Sequence, residues 1–165
     1  MFGMELKWDD VVIDKRAVQA NAADLIEEWL WLVPRDADPM LPTACGDVFL
    51  RLSDGGIAFL DSYAGACETV APSYEQWKAM LNESDQFEAW FRCGLICELL
   101  STGFERKPGQ CFSPYVPQII NGSWEPSNFH ACDLLVHLTI LGQIHRQVKR
   151  LPAGTKISGF RIADE

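Results

Sequence analysis

Cys93 and Cys97 stand four residues apart, an interval that sets two thiols on one side of a helix. His130 and Cys132 stand two apart further along the chain. Zinc accepts thiolate and imidazole ligands, so these four residues are the metal set this sequence could offer. The spacing argues against it. A structural zinc site is usually built from two short-spaced ligand pairs, and four is not the customary cysteine interval. The expectation is thiols packed in a core, with no metal and no cofactor. A cysteine/histidine metal-binding or thiol-dependent protein is the alternative. Nucleophilic catalysis needs one thiol set apart by its surroundings, and none of the six cysteines is marked out beside the three histidines. His137 and His145 read as hydrogen-bonded structural residues in an apolar or basic helix. Neighbouring carboxylates such as Asp9/Asp10 and Glu27/Glu28 point apart on a helix and cannot share a proton. No glycine-rich phosphate loop and no Gly-x-Ser-x-Gly turn occurs. No catalytic residue is therefore assigned, and binding is expected instead of catalysis.

The acids are more suggestive. Asp47 and Asp61 bracket the open end of a hairpin, Asp54 lies at its tip, and Glu68 follows on the next strand. These four are the candidate partner-binding residues. The competing reading is that they only blunt an exposed sheet edge.

The elements that would position them follow from periodicity. A helix is expected over 17–31, where Ala22, Leu25, Ile26, Trp29 and Leu32 share a face and Pro34 ends it. A loop with Pro34, Pro39 and Pro42 comes next. Strands over 46–52 and 57–61 flank the turn Ser53-Asp54-Gly55-Gly56, and a third over 66–70 completes a meander. Ser73 is placed to cap a helix, with Gln76 three residues on. Ser84 is placed to cap a second, from Asp85 to Leu100, with Gly103 just beyond its end. Residues 107–128 read as loop, with short strands at 111–112 and 118–120. A long helix is expected within 128–150, favoured by Arg146, Lys149 and Arg150 in its last turn. A final short strand is expected over 156–162. The sum is a single α+β domain over 1–165: a small antiparallel sheet, of hairpin or meander plus short C-terminal strands, packed against several helices.

With 48% apolar and 22% charged residues, the chain of 165 is too apolar for disorder. Its N-terminus lacks the basic start and apolar run of a secretory signal, and the best apolar stretch, 134–141, is too short for a membrane span. The expectation is a cytoplasmic protein with reduced cysteines and no membrane contact. The net charge of −9 is uneven: residues 1–100 hold 18 acids against 7 bases. Such a surface repels phosphate backbones, which disfavours direct nucleic-acid binding, and attracts a basic protein.

The C-terminal run Gly142-Gln143-Ile144-His145-Arg146-Gln147-Val148-Lys149-Arg150-Leu151-Pro152-Ala153-Gly154-Thr155-Lys156-Ile157 resembles the ending of the Tdi-type immunity proteins of bacterial type VI secretion systems. Pro108-Gly109-Gln110-Cys111-Phe112, then Gly122-Ser123 and Asn128, is similar to another stretch of that family, and so is the hairpin. The resemblance implies an antitoxin that binds a cognate type VI effector and occludes its active site. The family's founding members neutralise a DNA-degrading toxin, so it also implies a basic partner. Larger relatives carry an additional N-terminal domain, and with only the stretch ahead of the hairpin to hold it, that domain is expected to be absent or much reduced here. Gly142, Pro152 and Gly154 are expected to serve the fold, through close helix packing and a chain turn.

Overall fold

The computed structural model describes residues 4–159, 161 and 162. The hairpin forms where its glycines allow it. Gly55 sits at φ +88°, and the Asp54 carboxylate accepts the Gly56 amide at 2.8 Å. This turn joins β2 (Val48–Arg51) to β3 (Ile57–Asp61), in register from Val48 opposite Leu60 to Arg51 opposite Ile57. Then β4 (Ala66–Ala71) adds antiparallel to β3. The sheet has a fourth strand where the prolines predict a loop: β1 (Asp38–Pro42) pairs with β2 on the outside, giving the order β1-β2-β3-β4. Proline is tolerated there because an edge strand need not donate outward. The Pro42 carbonyl accepts the Ile13 amide at 2.9 Å, and the Pro39 carbonyl accepts Lys15 Nζ at 2.8 Å.

The helices depart from expectation in three places. The segment expected as an α-helix over 17–31 is wound more tightly, as 3-10 turns over Lys15–Ala17 and Ala22–Trp29, although it buries the expected Leu25, Ile26 and Trp29. Beyond α1 (Trp8–Val11) and α2 (Tyr74–Met80, with Ser73 Oγ accepting the Gln76 amide at 3.2 Å), the helix expected over 85–100 is two. They are α3 (Ser84–Phe91), whose N-cap position is held by Glu83 and not Ser84, with no side-chain cap, and α4 (Cys93–Ser101). Arg92 lies between them in the left-handed region at φ 51°, which stops α3 and redirects the chain. Gly103, at φ +84°, ends α4 as expected: its amide bonds the Leu100 carbonyl and the Phe104 amide bonds the Leu99 carbonyl.

After α4, β5 (Gln110–Pro114) and β6 (Phe129–Asp133) form a separate two-stranded ribbon. Here 118–120 is a 3-10 turn and not a strand, and the first residues of the expected long helix belong to β6. The helix itself, α5, spans Leu134–Lys149. No strand follows it among the described residues; Phe160 lies outside them.

Both faces of the central sheet are covered. Val48, Leu50, Ala58 and Leu60 pack with Trp29, Leu134, Leu138 and Leu141 on one side. Phe49 and Ile57 meet Trp77, Trp90 and Phe91 on the other, with the Phe49 ring 5.1 Å from Trp77 and 5.2 Å from Trp90. That double burial is why β2 reads as an unbroken apolar run. A third cluster, with Cys45, Tyr63, Ile96, Leu99, Phe112 and Phe129, joins the sheet to the ribbon. On α5, Gly142 lets the helix approach the 3-10 segment, where Trp29 Nε1 donates to the Leu138 carbonyl at 2.9 Å. No helix among the described residues is long and apolar enough to cross a membrane.

Candidate functional site

The four acids expected at a binding face separate into two pairs. Asp47 is 0% exposed and is no surface residue. One of its oxygens accepts the Ser62 amide at 2.8 Å and the Ser62 hydroxyl at 3.0 Å; the other takes Arg92 Nε at 3.0 Å. Asp61 accepts another Arg92 nitrogen at 2.9 Å, together with the amides of Tyr63 and Ala64. Arg92 thus gathers Asp47 and Asp61 into an internal cluster. Gly46 precedes Asp47 at φ +85°, and a Cβ at that glycine would meet the His137 ring. Asp54 and Glu68 remain in solvent.

The cluster continues into α5. The Ser62 hydroxyl, its proton given to Asp47, receives a hydrogen bond from His137 Nε2 at 3.0 Å. His137 Nδ1 is then the acceptor for the Ser113 hydroxyl at 2.8 Å. His145 Nε2 bonds the Ser62 carbonyl at 3.0 Å. Burial pushes the Asp47 carboxyl up to about 6, against the pull of Arg92, and pushes His137 down to about 3. Burial opposes the Arg92 charge too, but Asp47 and Asp61 outweigh it and hold the guanidinium above its ordinary value. An Asp, a Ser and a His in contact invite comparison with a hydrolytic triad. The order is wrong for one, since the carboxylate holds the serine and not the imidazole. Asp47, Ser62 and His137 are also sealed from substrate, at 1% exposure or less. The arrangement pins the turn after β3 to α4, β5 and α5.

The cysteine and histidine set does not converge. Cys93 and Cys97 line a shallow cleft with Met4, Leu6, Leu81 and Phe87, whereas His130 and Cys132 lie on β6. His130 stacks on Tyr115 with ring centres 4.3 Å apart, and Cys132 lies opposite Cys111 in the ribbon. Among the described residues no group of three or more His, Cys, Asp or Glu is placed to hold a metal ion.

Sequence reasoning passed over a different surface. Residues 115–128 leave and re-enter the ribbon at the partnered pair Pro114 and Phe129, a compact loop with closed ends. Asn128 ties it internally: its side chain accepts the Val116 amide at 2.9 Å and donates to the carbonyls of Val116 and Ser123 at 2.9 and 2.8 Å. Gln118 donates to the Ser123 carbonyl at 3.0 Å, and the Gly122 amide to the Pro117 carbonyl at 3.0 Å. A Cβ at Gly122 would strike the Val116 carbonyl. Tied in this way, the loop turns outward Tyr115 (64% exposed), Val116 (45%), Ile119 (38%) and Trp124 (46%). The Trp124 ring lies 5.2 Å from Tyr63, and the Arg92 guanidinium rests over both rings at 4.6 Å from Tyr63 and 5.1 Å from Trp124. Arg92, Gly94, Leu95, Glu98 and Trp124 line an open cleft at this junction. The signal for this surface was the run Tyr115-Val116 to Ile119-Ile120 and Trp124, too apolar for an ordinary solvated loop.

Residues 71–145 match the family described as T6SS immunity protein Tdi1, C-terminal. No match to a curated protein was found. The matched segment holds Arg92, the ribbon, the 115–128 loop and most of α5, and begins at the last residue of β4, so Asp47, Asp54, Asp61 and Glu68 all precede it.

Proposed function

We propose, for a chain that belongs through residues 71–145 to the Tdi1-type family of type VI secretion immunity proteins, that it binds a cognate effector and neutralises it by covering the effector's active site. The family match is the observation that carries this reading. The charge balance supports it and points to a basic effector that handles nucleic acid. A nuclease needs a positive face to hold phosphates, and a protein of net charge −9 competes for that face. On this reading the protein acts in the cytoplasm, as one domain over 1–165, and performs no chemistry itself. Of the hairpin acids, Asp54 and Glu68 are the pair free to attract such a partner from a distance; Asp47 and Asp61 are spent on Arg92.

The test uses the effector encoded in the neighbouring reading frame, with association and dissociation rates measured separately. A one-to-one complex is expected, and its association rate should fall as salt is raised. Asp54→Asn keeps the turn hydrogen bond and removes only charge; with Glu68→Gln it should slow association about two- to threefold and leave dissociation unchanged. Failure of the wild-type protein to bind the effector, or to restore growth to cells producing it, would sink the proposal.

A further inference from the structure

We infer that the exposed ridge of the 115–128 loop, together with the cleft beside α4, is the face that holds the effector. The ridge takes a basic segment of the effector: an Arg or Lys side chain seated between Trp124 and Glu98, with apolar neighbours against Tyr115, Val116 and Ile119. This assignment rests on the proposed effector binding and names the surface responsible.

Four observations lead here. First, the ridge is built in advance. Asn128, Gln118 and Gly122 close the loop on itself, so little ordering remains to be done on binding. Second, its outward side chains, Trp124 and Tyr115, are of the kinds that dominate protein interfaces, and Arg92 is held against Trp124. Third, the local charge favours a cation. Glu98 and Glu125 make no ion pair among the described residues, while the Arg92 charge is already met by two carboxylates. An incoming guanidinium would find an exposed indole and a free carboxylate together. Fourth, the residues that hold the loop in shape, Gly122 and Asn128, belong to the segment that matches the family, and the sheet acids do not. The hairpin acids then act on the rate of encounter, and the ridge on the lifetime of the complex.

The experiment compares Ile119→Arg, Glu98→Arg and the double variant with the wild-type chain, against the effector of the neighbouring reading frame. Both positions are at the surface and outside the ion cluster, so unfolding midpoints should not move. Each single variant should speed dissociation at least about tenfold and the pair about a hundredfold, with smaller changes in association. As a second reading, a photo-crosslinking phenylalanine derivative placed at Ile119 should join the effector on irradiation, and the same group placed at Glu68 should do so far less. Unchanged dissociation, or crosslinking at Glu68 and not at Ile119, overturns the ridge and leaves the immunity reading standing. A wild-type chain that does not bind the effector overturns the immunity reading, and the ridge falls with it.

Discussion

Arg92 satisfies two carboxylates, lies over two aromatic rings and occupies a left-handed conformation that an unbranched helix would never require. A non-glycine residue persists there only when its surroundings over-determine it, and here they do. Replacing it by Ala would leave Asp47 buried with no cation beside it, at a cost of about 3–5 kcal/mol, read as a fall in the urea midpoint. Arg92→Lys should recover little, because one ammonium cannot span both carboxylates and cover the rings. The sequence made the acids of the hairpin conspicuous but gave no hint of their partner, which lies 45 residues from Asp47. Charged residues at a strand end are ordinarily solvated, and Asp47 is an exception because Ser62 and Arg92 satisfy it in the interior. The histidines were read more truly: His137 and His145 are the hydrogen-bonded structural groups their apolar helix suggested.

At the scale of elements, the hairpin, the third strand, the cap at Ser73, the stop at Gly103 and the C-terminal helix were all legible, because each rests on local turn chemistry or a plain period. The departures share a cause: a local pattern overruled by a distant contact. Phe87, Trp90, Phe91, Leu95 and Leu99 keep helical spacing across the break at Arg92, so nothing in the period marks it. β1 was hidden by its prolines, and β6 by its continuity with α5. Gly142 shows the same dependence on distance. A Cβ there would come within 2.8 Å of Glu28 Cβ and 2.9 Å of the Glu28 carbonyl, and backbone does not yield cheaply. Gly142→Ala should therefore destabilise by about 1–2 kcal/mol in denaturant unfolding, although alanine is the better helix former by about 1 kcal/mol.

At the scale of the molecule, long-range ties join the N-terminal segment to the rest. Arg106 donates to the carbonyls of Asp9 and Val12, Val12 bridges to Thr43, and α5 lies against the 3-10 segment. On the one-domain proposal, urea should unfold the chain in one transition seen alike by fluorescence and circular dichroism. Its pH dependence follows from the buried cluster. The folded pKa of His137 is held near 3, below its ordinary 6.5, so its contribution to stability is complete above 6.5 and is lost as pH falls. Asp47 runs the other way: raised from 3.8 to about 6, its contribution is complete below 3.8 and is lost as pH rises through 6. Each proton is worth about 1.4 kcal/mol per pH unit, so between 3.8 and 6 the two oppose one another. His145, also lowered by burial, tips the balance toward acid lability. The urea midpoint should decline gently from pH 7 to pH 5, and Asp47→Asn should steepen that decline.

The outer rim of β1 has one more consequence. Pro39 and Pro42 have no N–H to offer, and their carbonyls are already claimed by Lys15 and Ile13. A passing strand, including one from a sister molecule, finds no ladder to continue on that side. On this rim two imino acids and two borrowed donors leave sister molecules, however concentrated, nothing to pair with.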